Sequence, residues 1–253
     1  MLGAIAGDII GSRFEGRAGP PRDFMLFHPG CCFTDDSVCT LAVADALLGE
    51  HDFAASLRAF VRRHPARGYG GMFLHWALSD DAPPYGSWGN GAPMRVAPVG
   101  WLARDEAEVM ELAAAQATVS HDHPDAIAAA QAVALAILLA RSGLPPAALR
   151  QQLVENFGYD LAPERALARG GFDISAAGTV PPALTAVLEA KDWEGAVRIA
   201  VCLGGDTDTL ACIAGAVAEA LHGLPPDIAD WARAYLTKDL RMVLERFESA
   251  VRT

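Results

Sequence analysis

The chain has 253 residues, of which 52% are hydrophobic and 20% are charged, enough apolar side chains for one sizeable core. Its net charge of −11 at pH 7 argues against a nucleic-acid backbone or an anionic membrane as partner. The five cysteines are odd in number and include no C-x-x-C pair, which argues against a disulfide framework or a zinc site and favours a cytoplasmic location. No run of about 18 residues is uninterruptedly apolar, so we predict no membrane span.

Apolar residues recur with helical periodicity along almost the whole chain. In chain order, helices are predicted over residues 35–48, 53–63, 105–117, 122–143, 146–157, 182–190, 192–202, 206–223, 226–236 and 238–250. Glycine and proline predict loops at 16–21, 65–71, 83–91, 143–146, 170–182 and 223–226. We therefore predict an all-α fold, a compact orthogonal helical bundle that forms a single domain over residues 1–253, and we expect a monomer.

Two acidic clusters stand at the starts of Ala-rich helices: Thr-Asp-Asp-Ser at residues 34–37 and Gly-Gly-Asp-Thr-Asp-Thr at 204–209. Helix capping explains either cluster alone, with Thr34 as the N-cap of the first helix and carboxylates favoured by the helix dipole. A cap needs only one oxygen, however, and two pairs of buried carboxylates would repel each other without cations. Carboxylates and hydroxyls are ligands for Mg²⁺ or Mn²⁺. The two clusters together predict a binuclear metal site at helix N-termini.

Other polar segments have open alternatives. Residues 87–95, Ser-Trp-Gly-Asn-Gly-Ala-Pro-Met-Arg, form either an anion site of backbone N–H groups or an ordinary turn, with Pro93 at the first position of the next helix. In residues 120–125 we expect Ser120 to cap a helix and one histidine to bind a ligand, rather than a transition-metal site. Tyr69 is a possible stacking surface, and Glu15 is either a third acidic ligand or a surface residue.

Six motifs in this order resemble the ADP-ribosylglycohydrolase family, in the form found in its short bacterial members. They are residues 3–15, 33–37, 68–71, 87–91, 120–124 and 203–211. The matches extend from residue 3 to about residue 225, and no long insertion separates them. Small departures are Ser37, where the family usually has Thr, and Asp125, where it often has Glu; neither removes a proposed ligand.

The resemblance implies an enzyme with two divalent cations, Mg²⁺ or Mn²⁺, that hydrolyses the glycosidic bond between ADP-ribose and an acceptor. We expect the acceptor to be an arginine of an ADP-ribosylated protein. The implied metal ligands are Thr34, Asp35, Asp36, Asp206, Asp208 and Thr209. The implied substrate-binding residues are Tyr69, Ser87, Trp88, Gly89, Asn90, Gly91 and His121. Either Asp36 or Glu15 would accept the proton of the attacking water, and Arg13 and Arg95 are candidates to help bind the pyrophosphate.

Other functions stay open at this stage. The substrate could instead be a serine-linked, O-acetylated or nucleic-acid-linked ADP-ribose. The protein could also be a non-catalytic ADP-ribose-binding module or a metal-dependent phosphohydrolase. The last lacks support, because the Glu106, Glu108 and Glu111 helix has no matching acidic partner.

Overall fold

Helices form every regular element of the described chain, which in this computed structural model comprises residues 1–168 and 171–252. They are α1 (Leu2–Gly11), a 3₁₀ turn (Ser12–Phe14), α2 (Asp35–Leu47), α3 (Phe53–Arg63), α4 (Gly71–Leu78), α5 (Ala97–Leu102), α6 (Glu106–Thr118), α7 (Pro124–Arg141), α8 (Pro146–Phe157), α9 (Pro163–Ala166), α10 (Ala176–Leu188), α11 (Trp193–Cys202), α12 (Thr207–His222), α13 (Pro226–Tyr235) and α14 (Lys238–Val251). The predicted all-α fold is confirmed. Each predicted helix except 182–190 agrees with an observed one to within two residues.

Side-chain caps explain why several helices begin where the sequence places them. Asp52, Asp105 and Asp192 each accept a hydrogen bond from the backbone N–H three residues further on. Each cap satisfies one of the N–H groups that a helix start leaves without a partner. These local signals are strong, and α3, α6 and α11 accordingly match their predicted bounds.

Two long Ala-rich helices, α7 and α12, lie at the centre of one hydrophobic core. Helix α7 is long and apolar enough to cross a membrane by composition, but 61% of it is buried inside the protein. It packs against α5, α6, α8, α10 and α12, so its apolar character serves the core. Helix α12 packs against α1, α10 and α11 as well, and its first twelve residues are all buried.

Helix α1 lies across α12 at very short range, because glycines recur on one of its faces. Gly3, Gly7 and Gly11 stand four residues apart and share that face. A Cβ on Gly7 would collide with the backbone of Ala211, and one on Gly11 would collide with the backbone of Thr207. This close approach brings residue 8 of α1 next to the start of α12. The sequence analysis included this segment in the first of its motifs, residues 3–15, but did not predict it as a helix.

The predicted loop over 170–182 is wrong from Ala176 onward, where α10 begins; residue 170 lies outside the described residues. Ser175 caps this helix through the N–H of Gly178. Pro181 and Pro182 lie inside the helix and are both buried. Prolines usually end helices because they lack an N–H. Here the burial of most of the helix, including both prolines, outweighs that local preference.

Two predicted helix starts are also displaced. Pro93 does not begin a helix: it lies in a turn, and α5 begins at Ala97 with Pro98 in its first turn. Ser120 does not cap α7, because His123 occupies the N-cap and its side chain accepts the N–H of Asp125 at 3.2 Å.

Candidate metal centre and active site

The two acidic clusters meet in space, although they are far apart in the sequence. The hydroxyl oxygens of Thr34 and Thr209 each lie 3.4 Å from Oδ2 of Asp36. Carboxylate oxygens of Asp8, Asp36 and Asp208 lie within 4.8 Å of one another, and so do those of Glu15, Asp206 and Asp208. Asp208 belongs to both groups, so the oxygens form one continuous cluster in front of α2 and α12.

Helix capping explains only part of this arrangement. Thr34 is the N-cap of α2, as predicted, and its hydroxyl accepts the N–H of Asp36 at 3.3 Å. Asp206 occupies the N-cap of α12, but its side chain makes no capping hydrogen bond. Oδ2 of Asp206 instead accepts from the side-chain amide of Asn90 at 2.6 Å. The second cluster therefore places a carboxylate toward the cavity without using it as a cap.

Asp8 is a member of the site that the sequence analysis did not single out. It is fully buried in α1, and its carboxylate accepts hydrogen bonds from the N–H of Thr34 at 3.0 Å and from the hydroxyl of Thr34 at 2.7 Å. It also accepts from the N–H of Ser37 at 3.1 Å and from the Ser37 hydroxyl. Asp8 thus fixes the turn that presents the first cluster. The available signal was an acidic residue inside an otherwise apolar, glycine-striped segment.

The carboxylates of the cluster are destabilised as anions by burial and by one another. Burial raises the pKa of Asp36 and of Asp208 well above 3.8, and neighbouring carboxylates raise it further. Burial, followed by the charge of Asp8, raises the pKa of Asp35 to about 8, and burial raises that of Asp8 to about 6. Burial also raises the pKa of Asp206. A site that keeps all of these groups ionised at neutral pH needs compensating positive charge.

Two buried carboxylate oxygens indicate where a compensating cation would bind. Oδ1 of Asp36 and Oδ1 of Asp208 are buried and have no hydrogen-bond partner among the described residues. Buried polar atoms nearly always have a partner. Carboxylate oxygens with adjacent threonine hydroxyls are hard ligands of the kind that Mg²⁺ and Mn²⁺ accept. The residues present therefore fit divalent cations.

Glu15 is held at the edge of the cluster by a short backbone pairing. The N–H of Gly16 donates to the carbonyl of Gly205 at 2.8 Å, and the N–H of Gly205 donates to the carbonyl of Arg17 at 3.0 Å. Gly204 and Gly205 have φ values of +74° and +78°, a region that favours glycine. Glu15 itself is exposed, and partial burial together with the charge of Asp206 raises its pKa.

A cavity of about 530 Å³ opens above the cluster, a size suited to a nucleotide-like ligand. It is lined by both acidic clusters, two glycine-rich loops, His121 and several apolar side chains. Five of the predicted substrate-binding residues line it: Ser87, Gly89, Asn90, Gly91 and His121. Tyr69 and Trp88 are not among its described lining residues. The Tyr69 hydroxyl donates to the carbonyl of His64 at 2.8 Å, and Trp88 is 51% exposed.

The glycine loop is pinned to the segment before α10 and offers few free backbone donors. The N–H of Asn90 donates to the carbonyl of Ile174 at 2.9 Å, and that of Gly89 donates to the Ser87 hydroxyl at 3.2 Å. The Asn90 amide donates to Thr179 at 3.1 Å and to Asp206. Asn90 therefore orients a carboxylate of the second cluster. The anion-binding role predicted for backbone N–H groups 89–91 stays a prediction.

The two arginines predicted to help at the site differ in exposure. Arg95 is fully buried and is among the residues that line the cavity. Arg13 is half-buried, with its guanidinium 4.3 Å from the centre of the Phe14 ring. Each keeps a buried Nη1 atom without a hydrogen-bond partner among the described residues.

Comparison with known proteins assigns the class. The ADP-ribosylglycohydrolase family model matches residues 1–252. The chain therefore belongs to the ADP-ribosylglycohydrolase family and is a glycosidic-bond hydrolase, as the resemblance implied.

Individual relatives agree along most of the chain. It is 26% identical to "ADP-ribosylhydrolase ARH3" of Danio rerio, covering 91% of this chain and 84% of the relative. It is 27% identical to "ADP-ribosylarginine hydrolase Tri1" of Pseudomonas putida, covering 90% of this chain and 71% of the relative. A solved structure titled "ADP-ribosylglycohydrolase-related protein complex" superposes with a TM-score of 0.76 at 27% identity, covering 99% of this chain and 95% of that one.

Proposed function

We propose that this enzyme removes ADP-ribose from arginine side chains of proteins and uses two divalent cations, Mg²⁺ or Mn²⁺. The observation that carries the proposal is the convergence of two buried carboxylate clusters at the floor of a nucleotide-sized cavity. Two of their oxygens have no hydrogen-bond partner in the part of the chain that the structure describes. The monomeric state and the cytoplasmic location predicted from the sequence remain predictions.

The cations would be held by oxygens of both clusters. The proposed ligands are Thr34, Asp35, Asp36, Asp206, Asp208 and Thr209. When bound, the two cations would supply Lewis-acid stabilisation of developing negative charge and would attract the hydroxyls of the distal ribose. Asp8 and Asn90 stand behind this set, because they fix Thr34 and Asp206 respectively. Such supporting groups orient ligands and tune their basicity.

The protein's own part in the reaction is to orient the ribose and to accept a proton. Water adds to C1″ of the ribose while the bond from C1″ to the guanidine nitrogen breaks, and the bonding electrons leave with that nitrogen. Glu15 takes the proton from the water and returns it to solvent or to the departing guanidine. Of the two candidate bases, Glu15 is favoured because it lies at the exposed edge of the cluster. Asp36 is enclosed by other carboxylates. A raised pKa makes Glu15 a stronger base near neutral pH.

Charge favours arginine as the acceptor. Five carboxylates line the cavity (Glu15, Asp35, Asp36, Asp206 and Asp208). Asp8 lies directly behind them. Two divalent cations would neutralise four of these six negative charges, so a cationic guanidinium is attracted and an anionic acceptor is repelled. The printed name of the Pseudomonas putida relative supports the same substrate class.

A substrate panel tests the proposal. Purified enzyme is assayed with arginine-linked, serine-linked, O-acetylated and nucleic-acid-linked ADP-ribose and with a nucleoside triphosphate, each in EDTA, Mg²⁺ and Mn²⁺. We expect the fastest release of ADP-ribose from the arginine-linked substrate, and only with a divalent cation. Faster turnover of another conjugate would move the acceptor assignment to it. Binding of ADP-ribose with no turnover of any substrate would indicate a non-catalytic module.

A further inference from the structure

A chain of buried polar side chains runs behind the glycine loop and ends at His121. Nε of Arg95 donates to Oε1 of Gln116 at 2.8 Å, and Nη2 of Arg95 donates to the Gln116 carbonyl at 2.7 Å. The same Nη2 donates to Oγ of Ser120 at 3.0 Å, and Oγ of Ser120 lies 2.9 Å from Nδ1 of His121. The side chains of Gln116, Arg95 and Ser120 have no exposed surface.

The direction of the first bonds is fixed by the chemistry of the groups. Nε2 of Gln116 donates to the carbonyls of Ala92 and Ala113, both at 3.2 Å, so Oε1 must face the guanidinium. Arginine offers only donors. Ser120 therefore accepts the bond from Arg95 and keeps its own hydroxyl proton to donate.

Among the described residues, that proton has one hydrogen-bond acceptor, Nδ1 of His121. If Nδ1 carried a proton, it would point at the serine hydroxyl, and the buried O–H would be left without an acceptor, which is unfavourable. With Nδ1 as the acceptor, the neutral ring carries its proton on Nε2.

We propose that Arg95 and Ser120 are positioning residues that hold His121 in its Nε2–H tautomer, so that the ring donates a hydrogen bond to an acceptor oxygen of the substrate in the cavity. The identity of that oxygen, on a phosphate or a ribose, rests on the proposed function. The assignment of the tautomer does not depend on the proposed function.

The surroundings of Nε2 suit a donor that faces a ligand. A Cβ on Gly91 would lie 2.6 Å from Nε2, so the loop makes room for the ring edge only because residue 91 is glycine. The rings of Phe73 and Tyr85 flank the imidazole with centroids 6.0 and 5.9 Å away. No hydrogen bond joins Nε2 to another described residue, and His121 lines the cavity.

The ring is kept neutral by the same arrangement. Burial lowers the pKa of His121 well below 6.5, and the positive charge of Arg95 lowers it further. Two further titratable groups lie close to the ring: the phenol of Tyr85, whose pKa is itself raised to about 12 by burial, and the neighbouring Asp122, whose carboxylate accepts the N–H of Gly86 at 2.6 Å.

Two-bond ¹H–¹⁵N NMR spectra of histidine-labelled protein test the proposal without any substrate. His121→Gln identifies the signals of His121 by their loss. We expect the wild-type ring to show the Nε2–H pattern at pH 7.5, and Ser120→Ala to shift it toward Nδ1–H or a mixture. Ser142→Ala removes a hydroxyl bonded to the Leu138 carbonyl at a helix end away from the cavity, and it should leave the pattern unchanged.

Calorimetric binding of ADP-ribose and of ADP supplies the second measurement. Ser120→Ala should weaken binding about tenfold, the usual effect of one lost hydrogen bond, and Ser142→Ala should not. Weaker binding of both ligands supports the proposal with an acceptor on the nucleotide diphosphate, and weaker binding of ADP-ribose alone supports it with one on the distal ribose. An Nδ1–H pattern in the wild type, or a Ser120→Ala variant with the wild-type tautomer and affinities, would overturn it. Because NMR measures the tautomer without turnover, the tautomer proposal can fail while the enzyme still cleaves arginine-linked substrate. Equally, the proposed function can fail while His121 shows the Nε2–H tautomer.

Discussion

Replacing Asp208 with asparagine should stabilise the metal-free protein and abolish its response to Mn²⁺. Asp208 is 3% exposed, its Oδ1 has no partner among the described residues, and its charge is opposed by Asp36 and Asp206. Asparagine keeps the shape and removes the charge. Relief of an uncompensated buried group is worth of order 1–3 kcal/mol. At about 2–4 °C per kcal/mol for a protein of this size, the metal-free Tm should rise by about 2–12 °C.

The wild type, unlike the Asp208→Asn variant, should be stabilised when metal is added. A cation at a hundredfold excess over its Kd stabilises the folded state by about 2.7 kcal/mol, which corresponds to a Tm increase of about 5–11 °C. Thermal unfolding at pH 8 in EDTA and in Mn²⁺ measures both effects. Asp230→Asn, on the exposed face of α13, is the matched control and should behave as the wild type. An Asp208→Asn variant that melts lower than the wild type in EDTA, or that Mn²⁺ stabilises as much, would refute the reasoning.

Three further predictions concern packing, pH and catalysis. Gly7→Ala should lower the free energy of unfolding in urea by about 1–3 kcal/mol, because its Cβ collides with Ala211. Gly49→Ala, whose nearest contact would be an ordinary 3.5 Å, should change it by less than about 0.5 kcal/mol, and equal effects would contradict the close α1–α12 crossing. In EDTA, the free energy of unfolding should fall as the pH rises from about 5 to 8.5. In the folded state the pKa values of Asp8 and Asp35 are raised to about 6 and 8, so the folded protein binds more protons than the unfolded one in this window. A free energy of unfolding that stays constant or rises with pH in EDTA would count against the raised pKa values. Glu15→Gln should lower kcat about a hundredfold while Mn²⁺ still raises the Tm, and full activity would return the role of base to Asp36 or to solvent.

The sequence predicted the elements whose signals are local. Ala-rich amphipathic segments with Asp caps gave α3, α6 and α11 nearly to the residue. Helix α1 was not predicted, because all of its residues are buried and it shows no polar face to set a period. Helix α10 was misplaced because two prolines that normally break a helix are tolerated inside the core. In both cases tertiary packing decided the outcome.

The site was predictable where many oxygen donors stand close together in the chain, as in residues 34–37 and 204–209. It was not predictable where a single residue acts through a distant partner. Asp8 supports Thr34, Asn90 holds Asp206, and Arg95 reaches Ser120 only in the folded protein. A one-dimensional pattern carries no record of such contacts, so the supporting roles of these residues required the structure.

Anomalous diffraction from crystals soaked in Mn²⁺ tests the central claim most directly. The account predicts manganese peaks between the two clusters, next to Oδ1 of Asp36 and of Asp208, which have no hydrogen-bond partner among residues 1–168 and 171–252. It also predicts loss of hydrolysis in EDTA. Two results together would contradict this claim: soaked crystals that show no peak at that position, and enzyme that releases ADP-ribose from arginine at its full rate in EDTA.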